Sequence, residues 1–281
     1  MIKPGIVNTL TVLRKSDLGY MLTSDGSDEV LLHFKEASGE HQVSDKVNVF
    51  IYFDSKGRAS ATENEVFVTL DKPGFATVVE VVSNLGVFVN INTPKDVLVP
   101  LDYLPYNKTM WPDVNDKILV NLKIKKNSFN AKPLNKFEIL DLGSKKKYSL
   151  GDEVEGYVIR PGDEGVGIVS KDFNYIFVYK THLRRTYRLG EFVSPKIIME
   201  KKDEYNGSLI PNKEYVISSD EDIILNYMRL HDGEMSLTAK SSSEDVEATL
   251  KLSRKAFKRA LGSLYKNHKV DCLENKTIIV K

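Results

Sequence analysis

Between Lys72 and Leu104 the hydrophobic and polar positions follow a rhythm that predicts a small β unit. Phe75, Thr77, Val79 and Val81 fall two apart, the spacing of one face of a strand. A turn at Ser83-Asn84 leads into a second apolar run from Leu85 to Ile91, and a polar turn with Pro94 and Asp96 leads into a third from Val97 to Leu101. After Trp111-Pro112 a last strand pair begins at Lys117.

The same layout recurs on both sides. Leu18-Gly19-Tyr20-Met21-Leu22 and Val30 to His33 match the second and third runs upstream. Downstream, Glu164 to Val169 and Ile176 to Tyr179 match them again. A period of roughly 70 residues is too long for a solenoid, and five short strands per unit predict closed barrels of the OB type. The expected architecture is mostly β, with three tandem barrels over residues 1–65, 66–143 and 144–218, each with its own core. Lys145-Lys146-Lys147 reads as the linker that opens the third.

From about residue 219 the period changes from two to that of a helix. Ile223, Ile224, Tyr227, Met228 and Leu230 make an apolar stripe after a Ser218-Ser219-Asp220 cap. Ser241 and Glu244 fit a capping box for a short second helix. A third begins after Ser253, with Phe257, Ala260, Leu261 and Leu264 opposite Lys255, Lys258, Arg259, Gly262 and Lys266. A hairpin across Asn275-Lys276 completes a C-terminal α+β winged helix, 219–281.

Composition narrows the function. A net charge of +1 argues against a bulk electrostatic polyanion binder, so any nucleic-acid surface depends on local segregation of charge. Residues 1–65 carry 7 basic and 10 acidic side chains and residues 144–281 carry 24 and 21, which puts the basic end at the C-terminus. A single cysteine, Cys272, excludes an internal disulfide and a paired-cysteine zinc site, and suits a reducing, cytoplasmic setting. No run has the length of a signal peptide core or a membrane span, so no membrane partner is expected. The five histidines are scattered and no metalloprotease or phosphate-loop motif occurs, which argues against an enzyme, a metal or a cofactor. Ser24 to Glu29 reads as a solvated hairpin turn, not a calcium loop.

The third unit has the chemistry of a single-strand site. Arg160, Lys171, Lys180, Arg184, Arg185, Arg188 and Lys196 interleave with Phe173, Tyr175, Phe177, Tyr179 and Tyr187. Cations neutralise phosphates and ring faces take bases. Phe173, Tyr175, Phe177 and Tyr179 share one side of a strand, so that stripe is either a stacking platform or core. Lys180, Arg184, Arg185, Arg188, Lys255, Lys258 and Arg259 are expected to form one continuous basic surface, with Tyr179 and Tyr187 stacking bases and Lys196 and Lys266 adding charge. Trp111 is expected to plug a barrel base.

Glycine in the first strand, a hydrophobic-Gly-hydrophobic-Phe second strand and closing runs such as Asn115-Asp116-Lys117-Ile118 and Leu189-Gly190-Glu191-Phe192-Val193 resemble the S1 RNA-binding domain. That resemblance implies contacts at Leu18, Met21, His33, Asp54 and Arg58 in the first unit, at Leu85, Phe88 and Pro100 in the second, and at Glu164, Gly167 and Tyr179 in the third. Four of them, His33, Asp54, Arg58 and Phe88, are secondary RNA-binding candidates of a suitable residue type.

The order of units, with LPYNKTMWPDVNDKILVNL in the second and SRKAFKRALGSLYKNH in the last, resembles the conserved virulence factor B family of bacterial RNA-binding proteins. The resemblance implies a cytoplasmic, non-enzymatic, sequence-tolerant binder of single-stranded RNA that influences gene expression, including virulence genes, after transcription. A winged-helix transcription regulator on duplex DNA and a scaffold for the ribosome or another assembly stay open as alternatives. So does the oligomeric state.

Overall fold

The computed structural model describes residues 1–143, 146–202, 204–210 and 213–280, with side chains of 213–219 outside that description. The alternating runs form strands where expected. Strands β1 (Val7–Lys15), β2 (Gly19–Thr23), β3 (Val30–His33), β4 (Lys46–Phe53) and β5 (Ala59–Thr62) close a barrel in the order β1-β2-β3-β5-β4. Strands β6 (Gly74–Val82), β7 (Gly86–Asn90), β8 (Val97–Pro100), β9 (Lys117–Ile124) and β10 (Phe129–Pro133) close a second with the same connections. A short helix α1 (Lys136–Leu142), capped by Asn135 and Glu138, leads to the third unit.

That unit comprises β11 (Gly156–Gly162), β12 (Gly165–Ser170), β13 (Tyr175–Tyr179), β14 (Phe192–Val193), β15 (Lys196–Glu200) and β16 (Tyr205–Ser208). Its six strands run β14-β11-β12-β13-β16-β15. The two edge strands are halves of one run of chain, parted at Ser194-Pro195, because Pro195 has no N–H to continue the ladder. The third unit thus keeps the strand order of the other two but is an open six-stranded sheet and not the closed barrel expected, because its closing strand is broken. The linker residues Ser144 and Lys145 lie outside the described residues.

The repeat is physical as well as sequential. Gly19, Gly86 and Gly165 start the second strand of each unit, opposite His33, Pro100 and Tyr179. A Cβ there would sit 2.0, 2.1 and 2.2 Å from the carbonyl oxygens of Leu32, Val99 and Val178, so only glycine lets the strands approach. Each first strand has a bulge at the equivalent place, after Val12, Val78 and Val158. Before each closing strand, a carboxylate takes the backbone N–H three residues earlier: Asp45 from Gln42, Asp116 from Asp113 and Glu191 from Arg188.

The barrels are not separate beads. In β4, Val47, Val49 and Ile51 fill the first barrel, whereas Phe50 and Tyr52 on the other face join the core of the second. Phe129 lies 5.2 Å from Phe53 and 6.3 Å from Phe50. Leu119, Leu134, Ile139, Val169 and Tyr175 form a further core between the second and third barrels. Phe75 points away from the barrel interior and stacks on Phe173 at 6.0 Å, while Ala76 and Val78 face the interior and Val79 and Val81 are exposed. Trp111 is buried, its indole N–H donating to the Pro105 carbonyl at 2.7 Å, as the expected plug.

Residues 1–209 form one compact unit and 210–281 another. In the second, helices α2 (Lys213–Arg229), α3 (Ser243–Leu250) and α4 (Arg254–Lys266) pack with strands β17 (Glu234–Met235), β18 (Val270–Cys272) and β19 (Thr277–Ile279), ordered β17-β19-β18. Three details differ from expectation. Helix α2 runs through Ser218-Ser219-Asp220, so these do not cap it, and its buried stripe is Ile224, Leu225 and Met228, with Ile223 and Leu230 exposed. The cap of α3 is one residue later, Ser242 taking the Asp245 N–H at 3.0 Å. The wing has a third strand, β17. Ser253 caps α4 as expected.

The close strand approach at the repeated glycine predicts that Gly86→Ala lowers unfolding free energy by about 3 kcal/mol through overpacking. Gly26→Ala, at a turn with nothing within 4 Å, should cost about 1 kcal/mol. Urea midpoints at constant m-value measure both.

Candidate nucleic-acid interface

Two structural elements meet at the open end of the third barrel: the turn of the β11–β12 hairpin and the segment after β13. The Lys180 N–H donates to the Glu164 carbonyl at 2.9 Å, joining them, and Lys180 to His182 makes a single 3-10 turn whose last bond is Leu183 N–H to Lys180 O at 3.1 Å. Between them lies a cleft of about 350 Å³. Pro161, Gly162 and Asp163 form one wall, Lys180, Leu183, Arg184 and Arg185 the other, and Met110, Val166 and Tyr187 also line it.

The predicted cations divide by partner. Lys180 and Arg184 are exposed and, among the described residues, have no ion-pair partner. Arg185 is held by Glu191 at 2.5 Å and lies 4.1 Å from the Tyr187 ring centre, a cation–π contact. Arg188 sits between two acidic turns, 3.1 Å from Asp113 and from Asp116 and 3.9 Å from Glu191. Expected on the basic surface, it ties the third barrel to the second through these carboxylates. Lys196 lies on β15, half-buried, paired with Ser208 and bridged to Glu153.

The rings divide as well. Tyr179 is 44% exposed at the end of β13, edge-on to Phe177 at 4.8 Å. Tyr187 is 7% exposed and belongs to the third barrel's core, so its ring faces are already covered and it does not offer the stacking surface expected of it. The rest of the aromatic stripe is structural, though not as barrel core. Tyr175 is buried in the cluster between barrels, with Phe173 and Phe177 packed against it. Burial pushes its hydroxyl pKa up to about 12. Gly167, where the first two units have Met21 and Phe88, leaves room for that ring: a Cβ would meet the Tyr175 hydroxyl at 2.7 Å. The strand face on which S1-type contacts were expected is thus covered here.

Among the secondary candidates, His33 Nδ1 accepts the Lys35 N–H at 3.2 Å and caps a turn. Asp54 accepts the Lys56 and Arg58 N–H groups and the Arg58 guanidinium at 2.7 Å. Phe88 is half-buried on the outer side of β7.

In the C-terminal unit, Lys255, Lys258 and Lys266 are exposed on α4, and among the described residues none has an ion-pair partner. Arg259 differs, reaching buried Asp220 of α2 at 3.2 Å. Lys258, Leu261, Gly262 and Tyr265 line a groove of about 260 Å³ with Ala239 and Cys272. These residues and the cleft belong to different compact units. Among the described residues, no group of three metal-binding side chains is assembled, and no helix is long and apolar enough to cross a membrane.

Comparison with known proteins bears on this arrangement. Residues 4–64 match the S1 domain model, 74–129 the CvfB first S1-like domain and 222–278 the CvfB-like winged helix domain. Conserved virulence factor B of Staphylococcus aureus is 30% identical over 98% of the chain and 93% of that protein. The chain belongs to the conserved virulence factor B family. The uncharacterized protein YitL of Bacillus subtilis is 36% identical over 96% of the chain and 91% of that protein. A solved multidomain protein with nucleic acid binding domains from Streptococcus pneumoniae is similar over 99% of this chain and 98% of that one, at 28% identity and a TM-score of 0.66. Tandem S1-type barrels followed by a winged helix are therefore the family's architecture here, and both domain types belong to nucleic-acid-binding families.

Glu191 is the residue on which the cleft wall turns. Burial opposes its ionisation, but the Arg185 guanidinium and the Arg188 N–H hold its carboxyl below the ordinary value of 4.5. A depressed folded pKa means that its contribution to stability is full above 4.5 and is lost as pH falls through the lower folded value. The urea midpoint should therefore drop below about pH 4.5, and Glu191→Gln should flatten that drop while costing on the order of 2 kcal/mol at neutral pH.

Proposed function

We propose that the protein binds single-stranded RNA with little sequence preference, in the cytoplasm and without catalysing a reaction, and regulates gene expression after transcription. The observation that carries this is the pairing of free charge with a sheltered apolar surface. Among the described residues Lys180 and Arg184 stand without ion-pair partners at the wall of a cleft that Met110, Val166 and Leu183 also line, with the exposed ring of Tyr179 at the end of the adjoining strand. Cations at the wall suit a backbone, and the apolar lining and ring suit bases of any sequence. The cleft is bounded by a hairpin turn and a 3-10 turn, which accommodates a flexible strand better than a stiff duplex.

Lys255, Lys258 and Lys266 on α4 supply a second phosphate-contacting face. Its lysines are point charges and not the Arg, Asn or Gln forks that read base edges, which favours backbone contact over duplex sequence reading.

Fluorescence anisotropy of the full chain with an unstructured single-stranded RNA, single-stranded DNA and duplex DNA at several salt concentrations tests the reading. Single-stranded RNA should bind most tightly. Lys180→Ala and Arg184→Ala should each reduce the slope of log affinity against log salt by about one phosphate contact, uniformly across sequences. Preference for duplex DNA would make the winged helix a DNA reader, and failure to bind any nucleic acid would favour the scaffold.

A further inference from the structure

The cleft is not built by the third barrel alone. Met110, which lines it, comes from the second barrel. Its carbonyl accepts the Leu189 N–H at 2.9 Å, and Leu189 itself is 2% exposed in the second barrel's core. The next residue, Gly190, accepts the Lys117 N–H at 3.0 Å. Arg188 completes the junction, its guanidinium held by Asp113 and Asp116 of one barrel and Glu191 of the other. The loop that carries Arg184 and Arg185 therefore ends on a fixed anchor in the neighbouring barrel.

We infer that Arg188 and Asp116 are positioning residues that preset the cleft, so that the second barrel controls RNA affinity through this junction in addition to the Met110 side chain it places in the lining. The inference rests on the cleft being the RNA site. Its physical basis is preorganisation: a loop already held in its binding geometry loses less freedom when ligand arrives.

A charge argument and a positioning argument predict opposite signs for one substitution. Asp116→Asn removes a negative charge beside a basic site and releases Arg188. If Arg188 were a phosphate contact held in check, binding would tighten. If it positions the loop, binding weakens. Asparagine keeps a carbonyl oxygen to accept the Asp113 N–H now bound at 2.8 Å, so the turn itself survives, and Asp113→Asn provides a second variant on the exposed side of the junction.

The experiment uses the full chain, a labelled ten-nucleotide oligouridylate and a salt series, with amide hydrogen exchange at Leu189 followed without RNA. Asp116→Asn and Arg188→Ala should each weaken binding roughly five- to tenfold and speed Leu189 exchange, with no loss of salt slope. The double variant should bind no more weakly than the weaker single one. Tighter or unchanged binding of Asp116→Asn, with Leu189 exchange accelerated, would overturn the positioning role. Unchanged Leu189 exchange in both variants would show that the ion pairs are not the anchor. Absence of RNA binding by the unaltered chain would instead remove the cleft's assignment.

Discussion

Burial of strands on both faces is the constraint from which the rest of this structure follows. An isolated five-stranded barrel buries one face of each strand and wets the other. Here β4 gives Val49 and Ile51 to one core and Phe50 and Tyr52 to another, and β13 gives Ile176 and Val178 to its own barrel and Tyr175 to the cluster against the second. Fusing the barrels removes apolar area from water that tandem, independent units would expose. It also uses up outer faces.

That loss relocates function. On the third barrel, the strand face is occupied by Tyr175 in the space left by Gly167, with α1 and the second barrel over it. What stays open is the end of the barrel, where loops carry Lys180 and Arg184. The charges split accordingly: arginines near the junction (Arg185, Arg188) pair with carboxylates, and among the described residues Lys180 and Arg184 have no ion-pair partner. Net charge near neutrality is thus consistent with a local basic site.

Much of this was legible in the sequence. The repeat, the second-strand glycines, the closing Asn-Asp and Gly-Glu turns, and the basic third helix after Ser253 are local patterns, set by backbone sterics and capping. The barrel-to-barrel contacts were not, because period two identifies one core face and assigns the other to solvent. The signal that could have corrected this is the unbroken apolar run, Val49-Phe50-Ile51-Tyr52-Phe53 in β4, Ile118-Leu119-Val120 in β9 and Tyr175 to Tyr179 in β13, which marks strands buried on both sides. The partners of Arg188 were hidden for a related reason. In sequence it adjoins Tyr187 and two other arginines, and only the fold brings Asp113 and Asp116 beside it. The start of α2 was missed because two serines mid-helix look like a cap.

The central claim is that the barrels of residues 1–209 are one cooperative body. Native-state hydrogen exchange across increasing denaturant tests it most directly, by comparing core amides such as those of Ile51, Leu119 and Ile168, one in each barrel. Fusion predicts that all three converge on the same opening free energy and the same denaturant dependence. Three distinct openings, each with the small denaturant dependence of a single barrel, would contradict it.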